Sequence, residues 1–118
     1  MNDFSAPSLT KTAEPQPPNP SPINTLVVAA IAERRLLKLA YSAGNRIVEP
    51  HVYGLGRDGR AFLRCYQVGG ESLSRERYGW KLLRGEAIGH VEVLDVSFVP
   101  RTGYTPEDRT IQRIYARV

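Results

Sequence analysis

The sequence has little of what disulfide-linked, metal-binding or nucleophilic proteins require. Its 118 residues include one cysteine, Cys65, and two histidines, His51 and His90. A single cysteine excludes an intrachain disulfide, and these three residues show none of the C-x-x-C or H-x-x-x-H spacings of zinc sites. We therefore expect no metal and no other cofactor. A lone thiol is typical of a reducing compartment, so we expect a cytoplasmic protein.

Long apolar runs are also missing. No stretch approaches the ~20 apolar residues that a membrane-spanning helix needs. The first residues have neither the basic start nor the apolar core of a secretory signal. At 42% hydrophobic and 24% charged residues, the composition is that of an ordinary globular domain. We expect no membrane association.

Patterns that would indicate catalysis are weak. Glycines 54, 56 and 59 satisfy G-x-G-x-x-G literally, but a predicted strand follows them where the dinucleotide-binding pattern needs a helix. A catalytic site would have to gather His51, Glu49 and Cys65 in one pocket, and nothing in their spacing requires that. We therefore expect a protein that is not an enzyme.

The chain divides into a tail and a domain. Residues 1–22 contain six of the nine prolines and few apolar side chains. Such a segment cannot bury enough surface to offset its ordering entropy, so we predict a disordered, proline-rich tail. Residues 23–118 then form a single small domain.

Helices are predicted at both ends of this domain. Ser21 and Pro22 suit the cap and first position of an N-terminal helix that ends near Leu37. Thr105 and Pro106 suit the same positions of a C-terminal helix. Its apolar face would hold Ile111, Ile114, Tyr115 and Val118, and its arginines 109, 113 and 117 would line another face.

Short strands fill the space between the helices. The segments "KLAYS" and "RIVEP" predict a hairpin, with Pro50 favouring an edge or a bulge. The segment "AFLRCYQV" is the clearest strand, because Ala61, Leu63, Cys65 and Gln67 alternate with Phe62, Arg64, Tyr66 and Val68. The segments "YGWKLLR" and "IGHVEVLDVSFV" predict at least two more strands. We expect a mainly β fold, a small barrel or a strongly bent sheet, and of these we favour a barrel with one flanking helix at each end.

The charge is carried mostly by arginine. Net charge is +4, and thirteen of the sixteen basic residues are arginines. The planar guanidinium suits phosphate and stacks on rings, so the composition favours nucleic acid, a nucleotide or another anion as the partner. Arginines alternate with aromatic residues around Tyr53, Phe62 and Trp80, as they do where single strands are bound. The same rings equally suit a barrel core, and both interpretations stay open.

The order of these segments resembles the WYL domain family. Tyr41 stands in the first strand, Arg46, Val48 and Pro50 match an R-x-V-x-P segment, and residues 61–63 occupy the Trp-Tyr-Leu position. There the tryptophan is lost and phenylalanine replaces tyrosine. The family's arginine-rich strand corresponds loosely to "GWKLLRGEAI". The resemblance covers roughly residues 23–100.

The resemblance implies an Sm-like small barrel that senses a ligand and regulates a linked activity, including transcription. We expect it to bind single-stranded nucleic acid or a nucleotide-like anion through a basic and aromatic face. Only 22 residues precede the domain, so we expect no direct operator recognition. A protein–protein interaction subunit, homo- or hetero-oligomeric, remains the alternative. The predicted ligand-binding residues are Tyr41, Arg46, Arg64, Trp80, Lys81 and Arg84.

Overall fold

The computed structural model describes residues 23–42, 44–71, 78–104 and 108–118. The predicted tail and the predicted cap of the C-terminal helix lie outside these residues. The described chain is mainly β, with one antiparallel six-stranded sheet and one α-helix. No helix in the described ranges is long and apolar enough to cross a membrane.

The sheet has a continuous path of five strands, and the sixth strand joins it from the side. The path runs β4-β3-β2-β1-β5, and β6 pairs with β2. A single 3₁₀ turn, Gly85–Ala87, connects β4 to β5. The elements are α1 (Thr25–Glu33), β1 (Arg35–Tyr41), β2 (Gly44–Leu55), β3 (Ala61–Gly70), β4 (Gly79–Arg84), β5 (Ile88–Ser97) and β6 (Arg113–Arg117).

Helix α1 is shorter than the sequence predicts. Its cap is Asn24, whose Oδ1 accepts hydrogen bonds from the N–H groups of Leu26 and Val27 at 3.1 and 3.3 Å. The helix ends at Glu33 because Arg34 adopts a left-handed conformation with φ of 56°. Arg35 begins β1, so the prediction of a helix reaching Leu37 is wrong at that end. Burial of Leu37 in the sheet core outweighs its helical propensity.

Alternation along the strands defines two faces of the sheet. Leu39, Val48, Leu63 and Cys65 are fully buried on one face, which packs with α1 and is called the inner face here. The alternation predicted for β3 is confirmed, because Ala61, Leu63, Cys65 and Gln67 are its buried residues. The pairing of β2 with β3 shifts register between Pro50 and Val52, so of the edge or bulge predicted at Pro50 the structure has the bulge.

The sheet curls around the core but does not close. Arg84 and Ile88 are only four residues apart in sequence, which spans at most about 14 Å. They belong to the two end strands of the path, which would lie about 19 Å apart in a flat sheet. The sheet must therefore bend strongly. Strands β4 and β5 do not pair with each other, so the sheet stays open and the expected barrel is not confirmed.

A strand takes the place of the predicted C-terminal helix. Residues 113–117 form β6, which pairs with Val52 to Leu55 of β2. Strand β1 pairs with β2 no further than Val48, so the rest of that edge is open to a partner. An isolated helix of this length is marginal in water, whereas the open edge offers backbone hydrogen bonds. Gly54 permits the approach, since a Cβ there would collide with the Arg113 carbonyl.

Candidate anion-binding site

The curled sheet separates the six predicted site residues into two groups. Trp80 and Lys81 are neighbours in β4, so their side chains point to opposite faces. Lys81 is opposite Cys65 of the inner face, and Trp80 is opposite Tyr66 of the outer face. Tyr41, Arg46 and Lys81 belong to the inner face, and Arg84 joins them at the open seam. Arg64 and Trp80 belong to the outer face.

Arg46 is the most unusual of these residues because its charged side chain is buried. The residue is 6% exposed and lies among strands β1, β2 and β3. Its Nη1 donates to Oε1 of Gln67 at 3.4 Å, which is long for a hydrogen bond. Its guanidinium lies 4.7 Å from the centre of the Tyr41 ring. Its buried Nε finds no acceptor in the described part of the chain.

No anion in the described ranges compensates the charge of Arg46. The Cys65 thiol is close enough for the charge of Arg46 to act on it, but burial raises the pKa of this thiol to about 12. Cys65 is therefore neutral at physiological pH. Glu71 lies nearby, since its N–H donates to the Asn45 carbonyl, yet its carboxylate forms no ion pair with Arg46. A buried cation without a counter-ion is costly.

Gln67 fixes the position of the Arg46 side chain. Gln67 is completely buried, and its Nε2 donates to the carbonyls of Gly69 and Glu71, both at 3.0 Å. These two bonds turn the amide oxygen toward Arg46. We call Tyr41, Arg46 and Gln67 the Arg46 cluster. Gln67 was not among the predicted site residues, although its place in the buried alternation of β3 indicates a polar group that needs hydrogen-bond partners.

Two further predicted residues border the Arg46 cluster. The Tyr41 hydroxyl accepts a hydrogen bond from the backbone N–H of Arg84 at 3.1 Å. Tyr41 thereby connects β1 to β4 across the open seam. The positive charge of Lys81 acts on the Cys65 thiol together with that of Arg46. Tyr41 and Arg46 are thus in contact on the inner face, Lys81 lies on the same face, and Arg84 meets Tyr41 at the seam.

On the outer face, Arg64 is already paired with a carboxylate. Its Nε donates to Oδ2 of Asp108 at 2.7 Å and its Nη2 to Oδ1 at 3.3 Å. The Asp108 side chain is 8% exposed and also accepts from the Thr110 N–H. The hydrogen bonds from Arg64 hold the pKa of the Asp108 carboxyl below its usual range. The charge of Arg64 is therefore neutralised within the protein.

Trp80 packs into an aromatic group around His51 that no local sequence pattern predicted. His51 is fully buried, with ring centres of Trp80, Phe98 and Tyr104 between 4.8 and 5.3 Å away. Its Nε2 accepts the Arg101 N–H at 3.1 Å, so its Nδ1 carries the proton and donates to the Glu49 carbonyl at 2.9 Å. Burial lowers the pKa of His51. The histidine is thus a neutral structural connector.

Glu49, the carboxylate considered as a catalytic base, is held in an ion pair. Arg101 donates to both its oxygens, at 2.8 and 3.2 Å, and stacks over the Tyr66 ring at 4.0 Å. Glu49 and His51 share the outer face, whereas Cys65 belongs to the inner face. The three groups are not gathered in one pocket. Within residues 23–42, 44–71, 78–104 and 108–118, no three His, Cys, Asp or Glu side chains could hold a metal ion.

A cleft of about 300 Å³ opens beside Trp80 on the outer face. The Tyr104 ring forms part of its wall, and the buried Tyr104 hydroxyl has no hydrogen-bond partner among the described residues. The cleft is lined by Arg64, Trp80, Gly103, Tyr104, Asp108, Arg109 and Thr110. Because the Asp108 carboxylate neutralises Arg64, this cleft is a weaker candidate for anion binding than the Arg46 cluster.

Comparison with known proteins found no relative. No protein-family model matches the sequence, and neither a curated protein nor a solved structure matches the chain. Function is therefore inferred from the geometry of the described residues, above all from the uncompensated charge of Arg46.

Proposed function

We propose that this protein is a non-enzymatic, ligand-sensing regulatory module of the WYL type. Its ligand is single-stranded nucleic acid or a nucleotide-like anion, bound at the Arg46 cluster. One observation carries the proposal: Arg46 is 6% exposed, its Nε is unbonded, and it has no counter-ion in the described chain. An anionic ligand would supply both the missing charge and the missing acceptors.

Local conflicts in a folded protein tend to occur at functional sites. An uncompensated buried guanidinium costs several kcal/mol relative to a paired or solvated one. Proteins keep such groups where function requires them. The bonds of Gln67 support the same interpretation, because they orient the guanidinium before a ligand arrives and so reduce the entropy lost on binding.

The strand topology of the sheet supports the WYL-type proposal. We assign the curled sheet to the Sm-like small-barrel class. Three features support this: the strand path β4-β3-β2-β1-β5, the single 3₁₀ turn between β4 and β5, and the bridge from Tyr41 to Arg84 across the seam. Such a curled sheet places the Arg46 cluster on its concave side.

Fluorescence anisotropy of a labelled single-stranded oligonucleotide tests the proposed function. The protein is titrated at about 50 mM and about 200 mM salt. Neutralising one to three phosphates of a single strand lowers affinity roughly 3- to 20-fold over this range. We expect micromolar or tighter binding with that salt response. No binding at the lower salt concentration contradicts the proposal.

A pair of variants assigns the binding to the site. Arg46→Met removes the buried charge and keeps an unbranched, flexible side chain in place of the arginine stem. Arg57→Met removes the charge of an exposed arginine in the β2–β3 turn and serves as the matched control. We expect the first variant to weaken binding at least tenfold and the second to change it little. Equal effects of the two variants would mean that the ligand does not bind at the Arg46 cluster.

A protein-interaction subunit remains a second candidate, because the sheet presents apolar groups near an open edge. Strands β4 and β5 each have one partner strand within the described residues. Val96 and Val99, at and beyond the end of β5, are 53% and 82% exposed. Light scattering at both salt concentrations tests this function. Self-association that persists at high salt would favour it, because apolar interfaces respond weakly to salt.

A further inference from the structure

The Arg46 side chain is nearly enclosed by its neighbours and does not form a surface patch, and its enclosed position is called the recess here. Arg46 is 6% exposed, and Gln67 beside it is not exposed at all. The Tyr41 ring lies against the guanidinium. Gly70 brings β3 against the backbone of β2, since a Cβ there would collide with Asn45 and Arg46. A ligand oxygen has to enter this recess to reach the guanidinium.

Two kinds of nucleic-acid phosphate differ in their ability to enter a recess. A phosphodiester within a strand carries a sugar on each of two bridging oxygens, so bulky groups flank its free oxygens on both sides. A phosphomonoester carries one sugar and projects three terminal oxygens away from it. Its charge at neutral pH is about −1.5 to −2, larger than that of a diester.

We propose that the Arg46 cluster binds a terminal phosphate, the phosphomonoester of a nucleotide or of a strand end, and not a phosphodiester within a strand. This inference rests on the proposed function and names the chemical group that the site selects. The group projects far enough to meet a guanidinium that is nearly enclosed. A strand would then be bound by its end, with the rest of the chain outside the recess.

The hydrogen-bonding capacity of Arg46 fits a phosphomonoester. A guanidinium has five N–H donors. In the described residues the one side-chain bond of Arg46 is the 3.4 Å contact to Gln67. Three phosphate oxygens can accept from the remaining donors, including Nε, which is unbonded. Gln67 acts as a positioning residue, because its bonds to the Gly69 and Glu71 carbonyls fix the orientation of Arg46.

The experiment compares two single strands that differ only at the 5′ end. A ten-residue thymidine oligomer labelled at its 3′ end carries either a 5′-phosphate or a 5′-hydroxyl, and anisotropy gives both affinities. We expect the phosphorylated strand to bind at least tenfold more tightly. Arg46→Met should reduce its affinity to that of the hydroxyl strand, and Arg57→Met should leave the preference intact. Arg46→Lys keeps the charge and should retain part of the preference, with melting curves verifying that each variant folds.

The outcomes separate this inference from the proposed function. If both strands bind equally and Arg46→Met weakens them equally, the terminal-phosphate inference is wrong and the proposed function stands. If neither strand binds at low salt, both are wrong. Competition identifies the recognised group: displacement by thymidine 5′-monophosphate, but not by thymidine, supports the inference. Equal displacement by thymidine overturns it.

Discussion

Replacing Arg46 with methionine should make the protein more stable. Removing an uncompensated buried cation relieves a penalty of several kcal/mol. Two losses oppose this gain. The contact between the guanidinium and the Tyr41 ring contributes about 1 kcal/mol, and the Gln67 oxygen left without a donor costs about 1–2 kcal/mol. Methionine also retains a sulfur contact with the ring. We expect a net rise of about 1–3 kcal/mol in the free energy of unfolding.

Urea denaturation and thermal melting measure this change. For a domain of this size, each kcal/mol shifts Tm by about 4–8 °C. Arg57→Met, at an exposed position, is the control and should leave Tm unchanged. A fall of about 1 kcal/mol or more in the Arg46→Met variant would refute the reasoning. It would mean that Arg46 has stabilising partners in the folded protein and is not kept uncompensated for a ligand.

Three further predictions concern the outer face. The pKa of His51 is lowered by burial, so below about pH 6.5 the unfolded chain binds more protons than the fold. The free energy of unfolding should therefore decrease as the pH is lowered from about 7 to about 5, by up to ~1.4 kcal/mol per pH unit. Exposed His90 is the control: His90→Gln should keep this slope and His51→Gln should lose it. Asp108→Asn should cost about 1–2 kcal/mol at pH 7, since it weakens the partly exposed pair with Arg64. The depressed pKa of Asp108 makes this contribution present above about pH 4 and lost as the pH falls through its folded pKa, so wild type and variant should converge near pH 2 in urea titrations. Tyr104→Phe removes an unbonded buried hydroxyl and should leave stability unchanged or raise it by ~1 kcal/mol; a loss of more than that would indicate a partner for the hydroxyl.

The strands were predictable because their signal is local. In β3, Leu63 and Cys65 alternate with Arg64 and Tyr66, and that alternation alone separates the two faces. The same period places Arg46 beside Val48 on the buried face of β2. The sequence therefore held a signal that this arginine is internal. What it could not show is the missing counter-ion, which depends on every strand around the cluster.

The C-terminal strand and the group around His51 were not predictable from local patterns. The segment from Ile111 to Val118 has apolar residues at spacings that fit a helix. It becomes a strand because β2 extends beyond the last residue paired with β1. His51 owes its role to Arg101, which is fifty residues away in sequence. Local sequence patterns show neither the pairing of β6 with β2 nor the contact of Arg101 with His51, because both arise only when the sheet is assembled.

One set of melting curves tests the central claim that Arg46 is held uncompensated for an anionic ligand. Wild type and Arg46→Met are melted without ligand and with the 5′-phosphorylated thymidine oligomer at about 100 times its Kd for the wild type. Binding at that concentration stabilises the fold by ~2.7 kcal/mol. We expect the variant to melt higher without ligand, and the ligand to raise the Tm of the wild type by about 10–20 °C but that of the variant, which binds at least tenfold more weakly, by at most about half as much. Equal shifts in both proteins, or a variant less stable without ligand, would contradict the claim.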